Sequence, residues 1–109
     1  MPRDEIEAAY FTLLRAREDL DALRRYDEYL VTEARRLRRS RNEGDALLDT
    51  VDRRLTRALR HTDQPLAQAI TERLAVIADE RERLPERLAA AERYVEACER
   101  DHAALRSGG

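Results

Sequence analysis

Apolar residues recur along this chain in alternating steps of three and four, and this period constrains the fold more than any other feature. Between Ile6 and Leu37 only Asp27 interrupts the apolar series, and the same register resumes beyond Gly44. A 3–4 alternation is typical of a helix that packs against another helix. The positions of this first seam are Ile6, Ala9, Leu13, Ala16, Leu20, Leu23, Asp27, Leu30, Ala34, Leu37, Arg41, Gly44, Leu48, Val51, Leu55 and Ala58.

The clearest break in the period is the segment His-Thr-Asp-Gln-Pro at 61–65. Proline disfavours helical geometry in the residue before it, and Thr or Asp suits the start of a helix. A second seam follows, with positions Ala67, Ile70, Leu74, Ile77, Arg81, Leu84, Leu88, Ala91, Val95, Cys98, His102 and Leu105. We therefore predict an all-α fold, a long antiparallel helical hairpin that resembles a coiled coil. Its predicted parts are a first arm at 3–61, a turn at 62–64 and a second arm at 65–106, within a single domain 1–106 followed by a disordered tail at 107–109.

A turn at 62–64 also predicts which residues face each other. In an antiparallel hairpin the numbers of facing residues have a constant sum, and a sum of 125 brings every position of the second seam onto a position of the first. The predicted pairs include Leu55 with Ile70, Leu37 with Leu88, Leu30 with Val95, Leu20 with Leu105, and Gly44 with Arg81. The alternative is a break at Ser40–Asp45, which gives three helices at about 3–42, 45–61 and 65–106. Pro85 should kink the second arm.

The unequal arms predict an apolar overhang at residues 3–19. Seventeen helical residues span about 25 Å, which is too much apolar surface to leave in water. We expect a second copy of the chain to cover this overhang in a helical-bundle dimer, and the alternative is a different protein partner. The residues concerned are Ile6, Tyr10, Phe11, Leu13 and Leu14.

The charge is unevenly distributed, although the formal net charge is only −2. Residues 35–60 hold nine arginines and four acids, whereas the segments on either side are acidic. Arginines along a helix can bind an acidic protein or follow a phosphate backbone, or they can be a solvated face paired with acids of the second arm such as Glu72. The candidate partner-binding arginines are Arg35, Arg36, Arg38, Arg39, Arg53 and Arg57.

A metal site drawn from Asp27, Cys98 and His102 is a second alternative. Cys98 and His102 are four residues apart, and Glu99 and His102 have the E-x-x-H spacing of di-iron bundles, but a bundle of that kind needs two copies. We therefore assign no metal or cofactor. The sequence also holds no glycine-rich phosphate loop and no Ser-His-Asp set, so we expect no enzyme.

Composition completes the functional expectation. A single cysteine suits a reducing compartment, and the chain has neither an apolar run that could span a membrane nor the charge pattern of a signal peptide. We predict a cytoplasmic, non-enzymatic coiled-coil module for protein–protein interaction, an adaptor or regulator. The alternatives are a nucleic-acid-associated protein that uses the Arg35–Arg60 block and a small carboxylate/His metal-binding protein.

Overall fold

The computed structural model describes residues 2–108, and these residues form two α-helices. The first, α1, spans Pro2–Asp49, and the second, α2, spans Arg53–Gly108. No strand, cis peptide bond or positive-φ residue occurs in this part of the chain. The prediction of an all-α helical hairpin is confirmed.

The position predicted for the turn is wrong, because the chain reverses at Thr50–Asp52 and not at 62–64. Two β-branched residues, Thr50 and Val51, follow the end of α1, and the Thr50 hydroxyl donates to the Leu47 carbonyl at 2.8 Å. The Asp52 carbonyl accepts the first helical bond of α2, from the Thr56 amide at 2.7 Å. Asp52 therefore occupies the N-cap position, which aspartate favours.

The Thr56 side chain links the two helices across this turn. Its hydroxyl lies 3.3 Å from the Leu48 carbonyl and 3.2 Å from the Val51 carbonyl. The last carbonyls of a helix have no intrahelical partner. The single hydroxyl proton of Thr56 can be donated to either of these carbonyls, so a side chain stabilises a turn that contains neither glycine nor proline.

The α2 helix passes through both Pro65 and Pro85 without interruption. Each proline removes one helical hydrogen bond, but both are exposed and lie in long runs of good helix formers such as Leu, Ala, Arg and Glu. The helix also continues through Ser107 and Gly108, so the tail predicted to be disordered is helical there, and residue 109 lies outside the described residues.

The three-helix alternative is also wrong, because α1 is continuous from Ser40 to Asp45. Gly44 is half-buried within the helix and faces α2 at the level of Asp63. The Asn, Gly and Asp residues that suggested a cap therefore lie inside a helix.

Gly44→Ala should raise the free energy of unfolding by about 0.5–1 kcal/mol, because glycine in a helix interior costs more chain entropy than alanine. The added methyl group would meet no atom closer than the Asp63 carboxylate, at 4.0 Å. Urea unfolding followed by circular dichroism measures the difference. A loss of stability would indicate that residue 44 is not helical.

Contacts between the helices divide the chain into two units. The first, here called the N/C unit, contains the residues up to Asp27 together with those from Arg83 onward. Its core consists of Leu13, Ala16, Leu20, Val95 and Cys98, with Leu88 and Ala91 packed against it. Two interhelical ion pairs flank this core, Arg17 with Glu99 at 3.4 Å and Arg24 with Glu92 at 3.6 Å.

The second unit, here called the turn unit, spans Glu28–Glu82. Its buried residues are Leu30, Ala34, Leu37, Ile70 and Ile77. No residue between 38 and 69 is buried, and this stretch, here called the turn end, carries only half-buried and exposed side chains. Each unit is built from both helices; the prediction of a single domain stays a prediction.

The pairing predicted from a sum of 125 is wrong in both units. Leu20 shares its core with Val95 and Cys98, not with Leu105. Gly44 faces Asp63, not Arg81. The reason is the earlier turn, since moving the reversal toward the N-terminus lowers the sum at every level.

Neither helix, over the described residues, combines the length and apolarity that crossing a membrane requires.

Candidate interaction surface

The N-terminal segment predicted to overhang is covered by the end of α2. Leu13 is buried, at 3% exposure, in the core of the N/C unit, and Ile6 and Leu14 are half-buried. The Tyr10 ring lies 5.6 Å from the His102 ring and 5.9 Å from the Phe11 ring. The overhang prediction is therefore wrong, and Phe11 is the member of the set that is left most open, at 62% exposure.

The arginines predicted to bind a partner are exposed, and they lie on both helices near the turn. Arg35, Arg36, Arg38 and Arg39 lie on α1 in the turn unit. Arg36 forms an ion pair with Glu33 of its own helix, at 2.6 Å, and this hydrogen bond lowers the pKa of Glu33 and raises that of Arg36. A carboxyl group whose pKa is lower in the folded state stabilises that state at pH values above its unfolded-state pKa. The small stabilisation from Glu33 is therefore present at neutral pH and is lost as the pH falls through the folded-state pKa.

A second group of arginines occupies the first turns of α2. Arg53, Arg54, Arg57 and Arg60, here called the arginine face, line one shallow depression together with His61 and Gln64. All four are exposed, and within the described residues none of them forms an ion pair. The alternative for the basic segment 35–60 was a solvated face paired with acids of the second arm. The structure shows no such ion pairs at these four positions.

Two residues of the arginine face, Arg53 and Arg54, lie in an electrostatically unfavourable position. A helix N-terminus carries a partial positive charge, so acids stabilise it and arginines destabilise it by about 0.3–1 kcal/mol each near the first turn. The first turn of α2 contains no acid and begins with Arg53 and Arg54, so the N-cap residue Asp52 is the one acid next to it. An external anionic group would relieve this repulsion.

Exposed leucines surround the same turn, and the sequence pattern did not indicate them as a group. Leu47, Leu55, Leu59 and Leu66 are exposed by 64, 56, 37 and 58%. Leu47 and Leu66 line a groove between the helices that also contains Gly44, Ala67 and Ile70. The sequence did contain a signal for their exposure, because Leu47, Leu59 and Leu66 lie outside both predicted seams. Leu55, assigned to the first seam, is exposed because the turn comes before it.

The residues of the suggested metal site are not brought together. Within residues 2–108, no three histidine, cysteine or acidic side chains are arranged to hold a metal ion. His102 contacts Tyr10, and Cys98 is a buried free thiol. A side-chain hydrogen bond with Cys98 raises the pKa of Tyr94 above its usual value. Cys98 therefore belongs to the core of the N/C unit.

Comparisons with known protein families, with curated proteins and with solved structures give no match to this chain.

Proposed function

We propose that this protein is a non-enzymatic protein–protein interaction module, an adaptor or regulator, that binds an acidic protein through the arginine face of α2. The observation that carries the proposal is the set of four unpaired arginines near the start of α2, of which Arg53 and Arg54 lie in the first turn and oppose the helix dipole. Local features that cost stability are expected at functional sites. The cytoplasmic location stays a prediction.

An acidic protein fits this surface better than a nucleic acid does. Nucleic-acid surfaces add stacking aromatics or an overall basic charge, whereas the segment 53–66 has no aromatic ring other than His61 and the chain is acidic overall. Exposed Leu55, Leu59 and Leu66 in the same segment are typical of protein interfaces. Nucleic acid remains the alternative that the experiment separates.

Replacing Arg53, Arg54, Arg57 and Arg60 by Gln should separate binding from folding. We expect an unchanged or higher free energy of unfolding, since the repulsion at the helix start is removed, and a large loss of partner binding. Urea unfolding measures stability. Affinity capture from extract of the native host, followed by titration of the purified partner at several salt concentrations, measures binding.

The matched control replaces Arg15, Arg93, Arg100 and Arg106 by Gln, which removes the same charge from exposed positions of the N/C unit. It should keep the partner. Equal binding by both variants would contradict the proposal. Binding of a duplex DNA probe with a steep salt dependence, lost only in the first variant, would favour the nucleic-acid alternative.

A further inference from the structure

Three of the exposed leucines form a stripe along one face of α2. Leu59 and Leu66 follow Leu55 by four and eleven residues, which places them about 40° and 20° around the helix axis from it. Their exposed fractions are 37, 58 and 56% for Leu59, Leu66 and Leu55. Since no residue between 38 and 69 is buried, α1 leaves this leucine stripe open along the turn end.

The stripe has the pattern of a helix-packing seam. Leu55, Leu59, Thr62 and Leu66 alternate in steps of four and three, and Ala69 continues the series. The positions on one flank are Ala58 and Pro65, which are small and uncharged, and those on the other are Thr56 and Asp63. The arginine face lies on the remaining positions, which point away from the seam. The centres of the two surfaces lie on opposite sides of α2, and the surfaces meet at Ala58, which also lines the depression of the arginine face.

We infer that a second copy of this chain covers the leucine stripe, with the two α2 helices antiparallel about a two-fold axis between Arg60 and His61. This register places Leu55 against Leu66 of the second copy and Leu59 against its Thr62. Each apolar end of the stripe then meets the other apolar end, and the polar threonines lie next to the axis.

The charges agree with self-pairing in this direction. On one flank Thr56 and Asp63 are half-buried against α1 of their own chain. On the other flank Ala58 and Pro65 carry no charge, so the antiparallel seam brings no like charges together. A parallel register would bring the two basic starts of α2 together, and Arg53 and Arg54 of both copies would repel. The turn unit as a whole holds eleven arginines and eleven acids. Its net charge is therefore zero and does not oppose self-association.

The dimer gives the two faces of α2 different roles. The leucine stripe joins two copies, and the arginine faces of both copies point outward for a partner. The sequence predicted a dimer through the N-terminal overhang, but Leu13 of that segment is buried within its own chain. The leucine stripe takes the place of the overhang as the dimer interface. The inference does not depend on the acidic partner, because it concerns the opposite side of the helix.

Sedimentation equilibrium of the purified protein tests the inference. We expect the mass of the wild type to rise from 12.7 kDa to twice that value as the concentration increases into the hundreds of micromolar. Leu55→Asp with Leu66→Asp should remain monomeric with unchanged helicity, because both side chains are exposed in the single chain. Val76→Asp is the matched control, since Val76 is 52% exposed on α2 outside the stripe, and it should still dimerise.

Cross-linking tests the direction of the pairing. With Cys98 replaced by Ala, a Leu55→Cys chain mixed with a Leu66→Cys chain should give a disulfide-linked dimer on oxidation. Neither chain should do so alone, because identical positions would be offset by eleven residues, about 16 Å. A wild type that stays monomeric, a dimer that survives the double Asp substitution, or equal cross-linking of each single-cysteine chain alone would overturn the inference.

Discussion

Leu30→Ala and Ile77→Ala should each lower the free energy of unfolding by about 2–5 kcal/mol, the largest loss expected from any single substitution in the turn unit. Both side chains are only 2% exposed, and the unit has few other buried residues. Truncation removes apolar contacts and leaves a cavity that long helices cannot close by small movements. Domains of this size are typically stable by about 5–15 kcal/mol, so either change removes a large share and the double variant should be mostly unfolded.

Urea unfolding monitored by circular dichroism at fixed protein concentration measures both losses. Leu47→Ala is the matched control, because it makes the same kind of truncation at a residue that is 64% exposed in the same unit. We expect its effect to be below about 0.5 kcal/mol. An equal loss for Leu47 and Leu30 would mean that the packing described for the turn unit is wrong.

The sequence pattern predicted the core well, because burial in a helical hairpin follows the apolar period. All the buried residues, from Leu13 to Leu37 in α1 and from Ile70 to Cys98 in α2, lie on the two predicted seams. A 3–4 alternation fixes which face of each helix is covered, whatever the helix packs against. The helical class and the continuity of α1 through Gly44 follow from the same periodicity.

The pattern did not fix where the chain turns. A seam that repeats every seven residues matches a second seam equally well after a shift of one repeat, so the sum of 125 was one of several consistent registers. The choice then depended on the turn signal, and Pro65 is a stronger signal in sequence than Thr50, Val51 and Asp52. The hydroxyl contacts of Thr50 and Thr56 that stabilise the observed turn are tertiary details that periodicity does not show.

The same error concealed part of the candidate surface. With a turn at 62–64, Leu55 would be covered by Ile70, and the exposed segment would be the N-terminus. With the turn at Thr50–Asp52, Leu55 belongs to the other helix and is exposed, while Leu13 is covered. The arginines were visible in sequence, but the lack of ion pairs at the arginine face, among the described residues, depends on the fold.

Ala16→Cys should form an intrachain disulfide with the native Cys98 and raise the free energy of unfolding by about 4 kcal/mol. Residues 16 and 98 are both buried in the core of the N/C unit, at 3 and 5% exposure. The bond would close a loop of about 80 residues, and long loops gain the most because the unfolded chain loses the most entropy. Mass spectrometry and thiol titration detect the bond, and unfolding with and without reductant measures the gain.

Asp27→Cys is the control, because a sum of 125 would place residue 27 opposite Cys98. In the structure the ion pair of Arg24 with Glu92 sets residue 27 near the level of residue 89, about 14 Å along the helix from Cys98. A disulfide requires α-carbons within about 7 Å, so this variant should keep both thiols free. If instead Asp27→Cys cross-links and Ala16→Cys does not, the helices pair in the register of the later turn, and Leu55 returns to the interior of the hairpin.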